Sequence, residues 1–244
     1  MKRLLIAMVL ALVAAGTAEA GFLLDPGRGA FLSNDPLPDR RPPATDEEIA
    51  EARHYRRIYV GAGTGRSASA GLDWDGWRNP INLELRGDWH TGKRRSTQST
   101  ILLYLGVPLP GYFRIAVGAG YGGFAWEYQD PGDVHRKGDI SGLLLSGRFG
   151  WYGETVAVRI SGERAGSRRA RNGDSRTYEL AGKSRADMFS EAPGSYSQIH
   201  LDAIHRRGLS IRVSQTRAHV DSAGIYPRQD VHDLTAIVCF GVTR

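Results

Sequence analysis

From Ile58 to the C-terminus the chain alternates apolar and polar residues with a period of two. The run from Ile81 to His90 shows it most clearly: Ile81, Leu83, Leu85 and Trp89 form one row, and Asn82, Glu84, Arg86, Asp88 and His90 form the other. Successive side chains of a strand point to opposite faces, so this pattern predicts a strand with one apolar and one charged face. The alternation recurs at Ile58 to Ala62, Ser99 to Val107, Phe113 to Tyr121 and Leu143 to Trp151. It appears again at Val156 to Ile160, Ile199 to Ala203, Leu209 to Val213 and Leu234 to Val242. Nine candidate strands with no convincing helix between them predict an all-β, antiparallel domain.

The joins between these runs refine the prediction. Pro108-Leu109-Pro110-Gly111, Tyr152-Gly153-Glu154 and Arg206-Arg207-Gly208 read as tight turns. Residues 91–96, 129–139, 164–195 and 220–231 read as longer connections, the third as a very long loop. Short joins alternating with longer ones are the signature of an up-and-down transmembrane β-barrel. Counted from Ile81, the barrel has eight strands. It has ten if the Ile58 run belongs to it, with a further strand near Thr177–Leu180 turned at Asn172-Gly173. Ten residues tilted near 45° span roughly 23 Å, close to the apolar band of an outer membrane. Trp89, Tyr121, Trp126, Phe149, Trp151 and Phe240 sit near strand ends, where interfacial aromatic girdles belong.

The N-terminal segment supplies a compartment. Lys2 and Arg3 precede the apolar run Leu4 to Ala15, and Ala18-Glu19-Ala20 is a small-x-small cleavage pattern. Residues 1–20 therefore read as a secretory signal peptide, too short to span a bilayer. Residues 21–56 combine a Pro/Gly-rich stretch with a capping-box pattern, Thr45 followed by Glu48, that predicts a short helix from about Asp46 to Arg56. Residues 57–244 form the barrel domain. No later stretch is apolar enough to cross as a helix, so membrane residence requires a barrel. The chain has 244 residues, a formal charge of +6 and one cysteine, Cys239, so an internal disulfide is excluded.

Tyr59-Val60-Gly61-Ala62-Gly63 and the run Phe113 to Gly122 (FRIAVGAGYG) resemble strand motifs of small Gram-negative outer-membrane barrels of the OmpA-like kind. The resemblance covers Ile58 to Glu163 loosely. It implies an outer-membrane location, a monomer, contact with outer-membrane lipid and insertion by the barrel-assembly machinery. The sequence departs from that group at its end, Gly-Val-Thr-Arg244, where a terminal aromatic is usual; Phe240 lies on the corresponding face.

Placed in a barrel, Glu84, Arg86, Asp88, Arg114, Arg159, Asp202 and Arg212 point into the lumen. Acids and bases are both present, so they are expected to pair and plug it. The segment 164–185 carries Arg164, Arg168, Arg169, Arg171, Arg176, Lys183 and Arg185. As an external loop it would meet polyanions such as the phosphates of lipopolysaccharide; its plainer reading is a solvated loop. The pairs His200/Asp202, Asp88/His90 and His219/Asp221 read as hydrogen-bonded pairs rather than as halves of a catalytic site. No His or Cys spacing suits a metal, and no Gly-rich run suits a nucleotide. The expectation is a structural or adhesive barrel without catalytic residues or cofactor, and without a nucleic-acid partner. Two alternatives stay open: a lipid A acyltransferase or deacylase, and a soluble periplasmic β-barrel binding protein.

Overall fold

The computed structural model of the protein describes residues 54–92, 94–130, 134–178 and 184–243. The expected signal peptide, the Pro/Gly-rich stretch and residues 46–53 of the expected helix lie outside them. Ten strands follow in chain order: β1 (His54–Gly63), β2 (Ser67–Gly76), β3 (Ile81–Thr91), β4 (Arg94–Leu109), β5 (Phe113–Gln129), β6 (His135–Tyr152), β7 (Val156–Tyr178), β8 (Ser184–His205), β9 (Leu209–Val220) and β10 (Gln229–Thr243). Each pairs antiparallel with the next, and β1 pairs with β10 to close the barrel. No described segment is an α-helix; a single 3-10 turn spans Pro110–Tyr112.

Three expectations need correction. The barrel has ten strands, not eight. The strand that sequence reasoning missed is β2, SASAGLDWDG, not a segment near Thr177–Leu180. Its outward row of Ala68, Ala70, Leu72 and Trp74 is mostly small, and its inward row holds Ser, Gly and two Asp, all poor strand formers in isolation. Residues 54–56, expected to end a helix, begin β1. There Tyr55 and Arg57 turn inward while Arg56 and Ile58 face out, so the period of two already governs. Finally, the described residues 164–178 and 184–195 are strand, not loop. β7 and β8 continue as a paired hairpin to Tyr178 and Ser184, with a register shift between Ser167 and Ala170.

At one end of the barrel, with the start of β1 and the end of β10, every join is short: 77–80, 110–112, 153–155 and 206–208. The other end is mixed: the β7–β8 hairpin and the longer joins 130–134 and 221–228 lie there beside the short joins 64–66 and 92–93, so residues 91–96, expected as a longer connection, are mostly strand. Following paired residues once round the barrel from Val60 returns to β1 about twelve residues further along. For ten strands that stagger corresponds to a tilt of roughly 40°.

The alternation changes sign along the strands. Near the short-turn end the outward row is apolar and the inward row charged: Phe113 and Ile115 face out beside inward Arg114, and Phe149 faces out beside inward Arg148. Near the long-hairpin end the order inverts. Glu127 faces out beside inward Trp126, Arg171 beside Ala170, Arg217 beside Ala218, and His232 beside Val231.

The turn between β8 and β9 depends on Gly208. Its φ is +94°, and a Cβ there would lie 1.9 Å from the carbonyl oxygen of Gly241. Gly208→Ala should lower stability by about 1–3 kcal/mol. Gly147→Ala, where nothing lies within 4 Å of a Cβ, should stay within about 0.5 kcal/mol of the parent. Urea-unfolding midpoints of the two variants check this.

Candidate functional site: the buried charge layer

The inward row of the lower barrel brings six guanidiniums into one layer: Arg57, Arg86, Arg114, Arg148, Arg159 and Arg212. Facing them are the buried carboxylates Asp73, Asp75, Glu84, Glu163 and Asp202, with Asp88 partly covered at the upper edge. Formal charge in the layer balances. Asp75 is its hub. Its Oδ2 accepts from Arg159 at 2.6 Å, from Arg148 at 3.2 Å and from the Tyr152 hydroxyl at 2.7 Å. Its Oδ1 accepts from Arg114 at 3.1 Å, from the Asn82 amide and from the backbone N–H of Gly76 at 2.9 Å.

From this hub the pairing spreads across the barrel. Arg159 also donates to Asp73 at 2.6 Å and to Asp202 at 3.3 Å. Arg148 donates to Glu84 and lies 4.0 Å over the Tyr104 ring. Arg86 joins Glu84 at 2.8 Å, Glu163 at 2.8 and 3.0 Å, and Asp88 at 3.0 Å. Arg212 donates to Asp202 at 2.7 Å, and Arg57 to Asp73 at 3.4 Å and to the Ser210 hydroxyl. His200 stands between Glu163 and Asp202 at 3.7 and 3.8 Å, with neither ring nitrogen hydrogen-bonded.

Above the charges the lumen is mostly apolar, with Gln98, Gln198 and Thr216 joined by hydrogen bonds at the boundary. Leu102, Tyr104, Phe124, Trp126, Ile140, Leu144 and Tyr196 pack with small residues of β7, β8 and β9, and Phe124 stacks on Tyr196 at 5.7 Å. Trp126 donates its indole N–H to Gln229 at 2.9 Å. Asn172 ties the 221–228 loop over the mouth through the carbonyls of Asp221 and Pro227, at 2.7 and 2.9 Å. A cleft of about 30 Å³ remains beside Asp88, Gln98 and Gln198, room for one or two waters. The barrel interior is filled by a salt-bridge network and a hydrophobic plug.

No model of a known protein family matches the chain, and a search of curated proteins returns no similar sequence. The OmpA-like resemblance of its strand motifs therefore extends to the architecture, a closed antiparallel barrel, and identifies no family.

All seven charges expected in the lumen lie in this layer, six of them buried. Asp73, Asp75, Arg57, Arg148, Glu163 and His200 join them, although sequence reasoning did not place these in the network. Asp73 and Asp75 were hidden by the missed β2. Arg148 and Glu163 were legible: Arg148 is out of phase with its neighbour Phe149 of the recognised apolar row, and Glu163 lies two residues past Ser161 on the face opposite Ile160. Trp126, expected in an interfacial girdle, is buried in the plug instead, because its strand has by then passed the inversion of the alternation.

The basic segment is displayed on the outside. Arg164, Arg168, Arg169 and Arg171 are exposed on β7, where Arg169 lies 3.7 Å from Glu191 and Arg171 lies 3.8 Å from Asp139. Arg176 and Arg185 belong to paired backbone near the hairpin tip, and Lys183 lies outside the described residues. Glu84, Glu163 and His200 offer ligand atoms within 4.8 Å of one another. Arg86 and Arg148 already engage both carboxylates, which suits a salt bridge better than a chelate. On the outer surface Ser195 and His219 share a 3.1 Å hydrogen bond. Asp230, opposite His219 in the register, is bound to Arg228 at 3.0 Å, and no described carboxylate completes a triad.

Removing one partner of a buried pair leaves an uncompensated charge, at a cost of about 3–5 kcal/mol. Arg159→Ala strips Asp73, Asp75 and Asp202 at once and should fall in that range, with Arg114→Ala, which leaves Asp75 two guanidiniums, losing less. Equilibrium urea unfolding of both variants measures this; unchanged midpoints would mean that the layer does not stabilise the fold.

Proposed function

We propose that the protein is a non-enzymatic outer-membrane β-barrel, structural or adhesive in role, whose lumen is plugged and whose exterior meets lipid. The observation that carries this reading is the inversion of the alternation along the strands. A water-surrounded barrel has no reason to expose Ile58, Leu103, Leu105, Ile115, Val117, Leu143, Leu145, Phe240 and Val242 while burying six arginines. A lipid-surrounded barrel has that reason over one stretch only, and the charges return outside where the strands leave the bilayer. On β5 the outward row from Phe113 to Ala125 holds no charged residue. At about 3.3 Å per residue and a tilt of roughly 40° it rises about 30 Å, enough to cover an outer-membrane apolar band of about 25 Å.

The edges of the band agree. Trp74, Phe113, Phe149 and Trp151 lie near the short-turn end and Trp89 near the other, with Arg56 4.7 Å over the Trp74 ring at the lower rim. The short-turn end is then periplasmic, and the β7–β8 hairpin projects outside. Its exposed arginines suit contact with anionic surface polymers such as lipopolysaccharide. The signal-peptide pattern of residues 1–20 supports export to this compartment.

The refolded protein should migrate differently on a gel before and after boiling, and should resist carbonate extraction from vesicles. Planar bilayers holding it should show no steady conductance, because the lumen is filled. Identical migration of boiled and unboiled samples would overturn the membrane assignment, and open-pore currents would overturn the plug.

A further inference from the structure

One hydrogen-bonded row of outward residues spirals from the short-turn end to the long-hairpin end. It runs Trp74, Leu83, Leu103, Ala119, Leu145, Arg164, Ser197, Arg217, His232. With the strands tilted by roughly 40°, each step along such a row climbs about 3 Å. The row is apolar as far as Leu145 and polar from Arg164 onward. Arg164 and Arg217 are thus the first outward charges above the apolar rows of their strands, one on each side of Ser197. Both are exposed, and neither has an ion pair or hydrogen bond among the described residues. The nearby acids are engaged elsewhere: Glu163 turns inward to Arg86, Asp230 pairs with Arg228, and Asp233 pairs with Arg94. Strands two apart are separated by about 9–10 Å, a distance two arginine side chains bridge readily over the small Ser197.

Directly below Arg164 the surface is bare. The next outward residue of β7 is Gly162, paired with Gly147 of β6, and a Cβ at either would meet nothing within 4 Å. Exposed Leu145, Phe149, Ile160 and Ile199 surround this glycine floor. Two unpaired cations therefore sit above a shallow apolar groove, the arrangement of charge and surface in a phosphorylated lipid.

We propose that this patch binds one phosphorylated lipid of the outer leaflet. Arg164, Arg217 and the Ser197 hydroxyl hold the phosphate through charge-assisted hydrogen bonds, and the glycine floor seats an acyl chain. The site rests on the reading of the apolar band as lipid-facing; of the basic segment 164–185 it uses Arg164 alone, together with Arg217 of β9.

The test uses the full chain reconstituted in phosphatidylcholine vesicles containing either bisphosphorylated lipid A or its dephosphorylated form. Retained lipid is counted by native mass spectrometry, and inorganic pyrophosphate serves as a competitor. The parent protein should retain the phosphorylated form and not the other. Arg164→Gln with Arg217→Gln should lower retention by roughly tenfold or more. Gly162→Leu, which fills the groove, should lower it severalfold, and pyrophosphate should displace the lipid poorly. Equal retention of both lipid forms, or unchanged retention in the double variant, overturns the site. Full displacement by pyrophosphate with no effect of Gly162→Leu shows a simple anion site and overturns the lipid assignment. Heat-dependent migration is recorded for every sample. Its loss in the parent protein overturns the membrane reading and this site with it, whereas intact migration with unchanged retention overturns this site alone.

Discussion

The carboxylate of Asp75, held by Arg114, Arg148 and Arg159, is the interaction on which the rest of the barrel depends. These three arginines come from β5, β6 and β7, and Asp75 comes from β2, so the contact spans the lumen rather than running along the wall. The wall itself is held by ladder hydrogen bonds that would form in any register of tilted strands. What selects this register is the need to bring every buried guanidinium to a carboxylate. A slip of one residue would move each charge to the outer face and each leucine inward. The layer thus acts as a lock on strand register, in addition to any stability it contributes. Arg159 shows the coupling best, since its partner Asp202 lies on the neighbouring strand β8 and its partners Asp73 and Asp75 lie across the lumen on β2.

Much of this was legible in the sequence because strand periodicity is a local signal. Nine of the ten strands announce themselves by alternating bulky apolar residues with polar ones, and the three tight turns at one end by Gly or Pro. The seven recognised lumen charges follow from the phase of that alternation alone. β2 was not legible for the opposite reason. Its outward residues are mostly alanine, and the two aspartates that matter most look like loop composition until their arginine partners, distant in sequence, are known. Strand formation there is imposed by β1 and β3, whose ladders need a partner on each side.

The extended β7–β8 hairpin teaches the same lesson with its sign reversed. Residues 164–174 do alternate, but the inward positions hold Ala165, Ala170 and Asn172 and the outward ones hold arginine. A search for bulky apolar residues every second position passes over such a strand. The inward alanines are small because the plug already fills the space with Phe124, Trp126 and Tyr196. The outward arginines are tolerated because that face no longer meets an apolar surface. Polarity by itself therefore did not mark a loop; what changes along the strand is which face carries the charged residues.

A filled lumen moves the question of function to the outside of the barrel. With the charge layer below, the aromatic plug above and the 221–228 loop tied across the mouth, the interior offers room for a few waters. What the protein presents to its surroundings is then the projecting hairpin and the external surface itself. That surface is not uniform. The upper edge of the apolar band is marked near β3 by Trp89, and on β5 and β6 outward charge begins higher still, at Glu127 and at Asp139, which lies opposite Arg171. Between β7 and β9 it is marked by Arg164 and Arg217, unpaired, over a floor of glycine. Glycine facing outward contributes nothing to the lumen and weakens a strand. Its occurrence on both β6 and β7 at the same level, beneath a free cation, is most simply understood as space kept for something that lies against the wall.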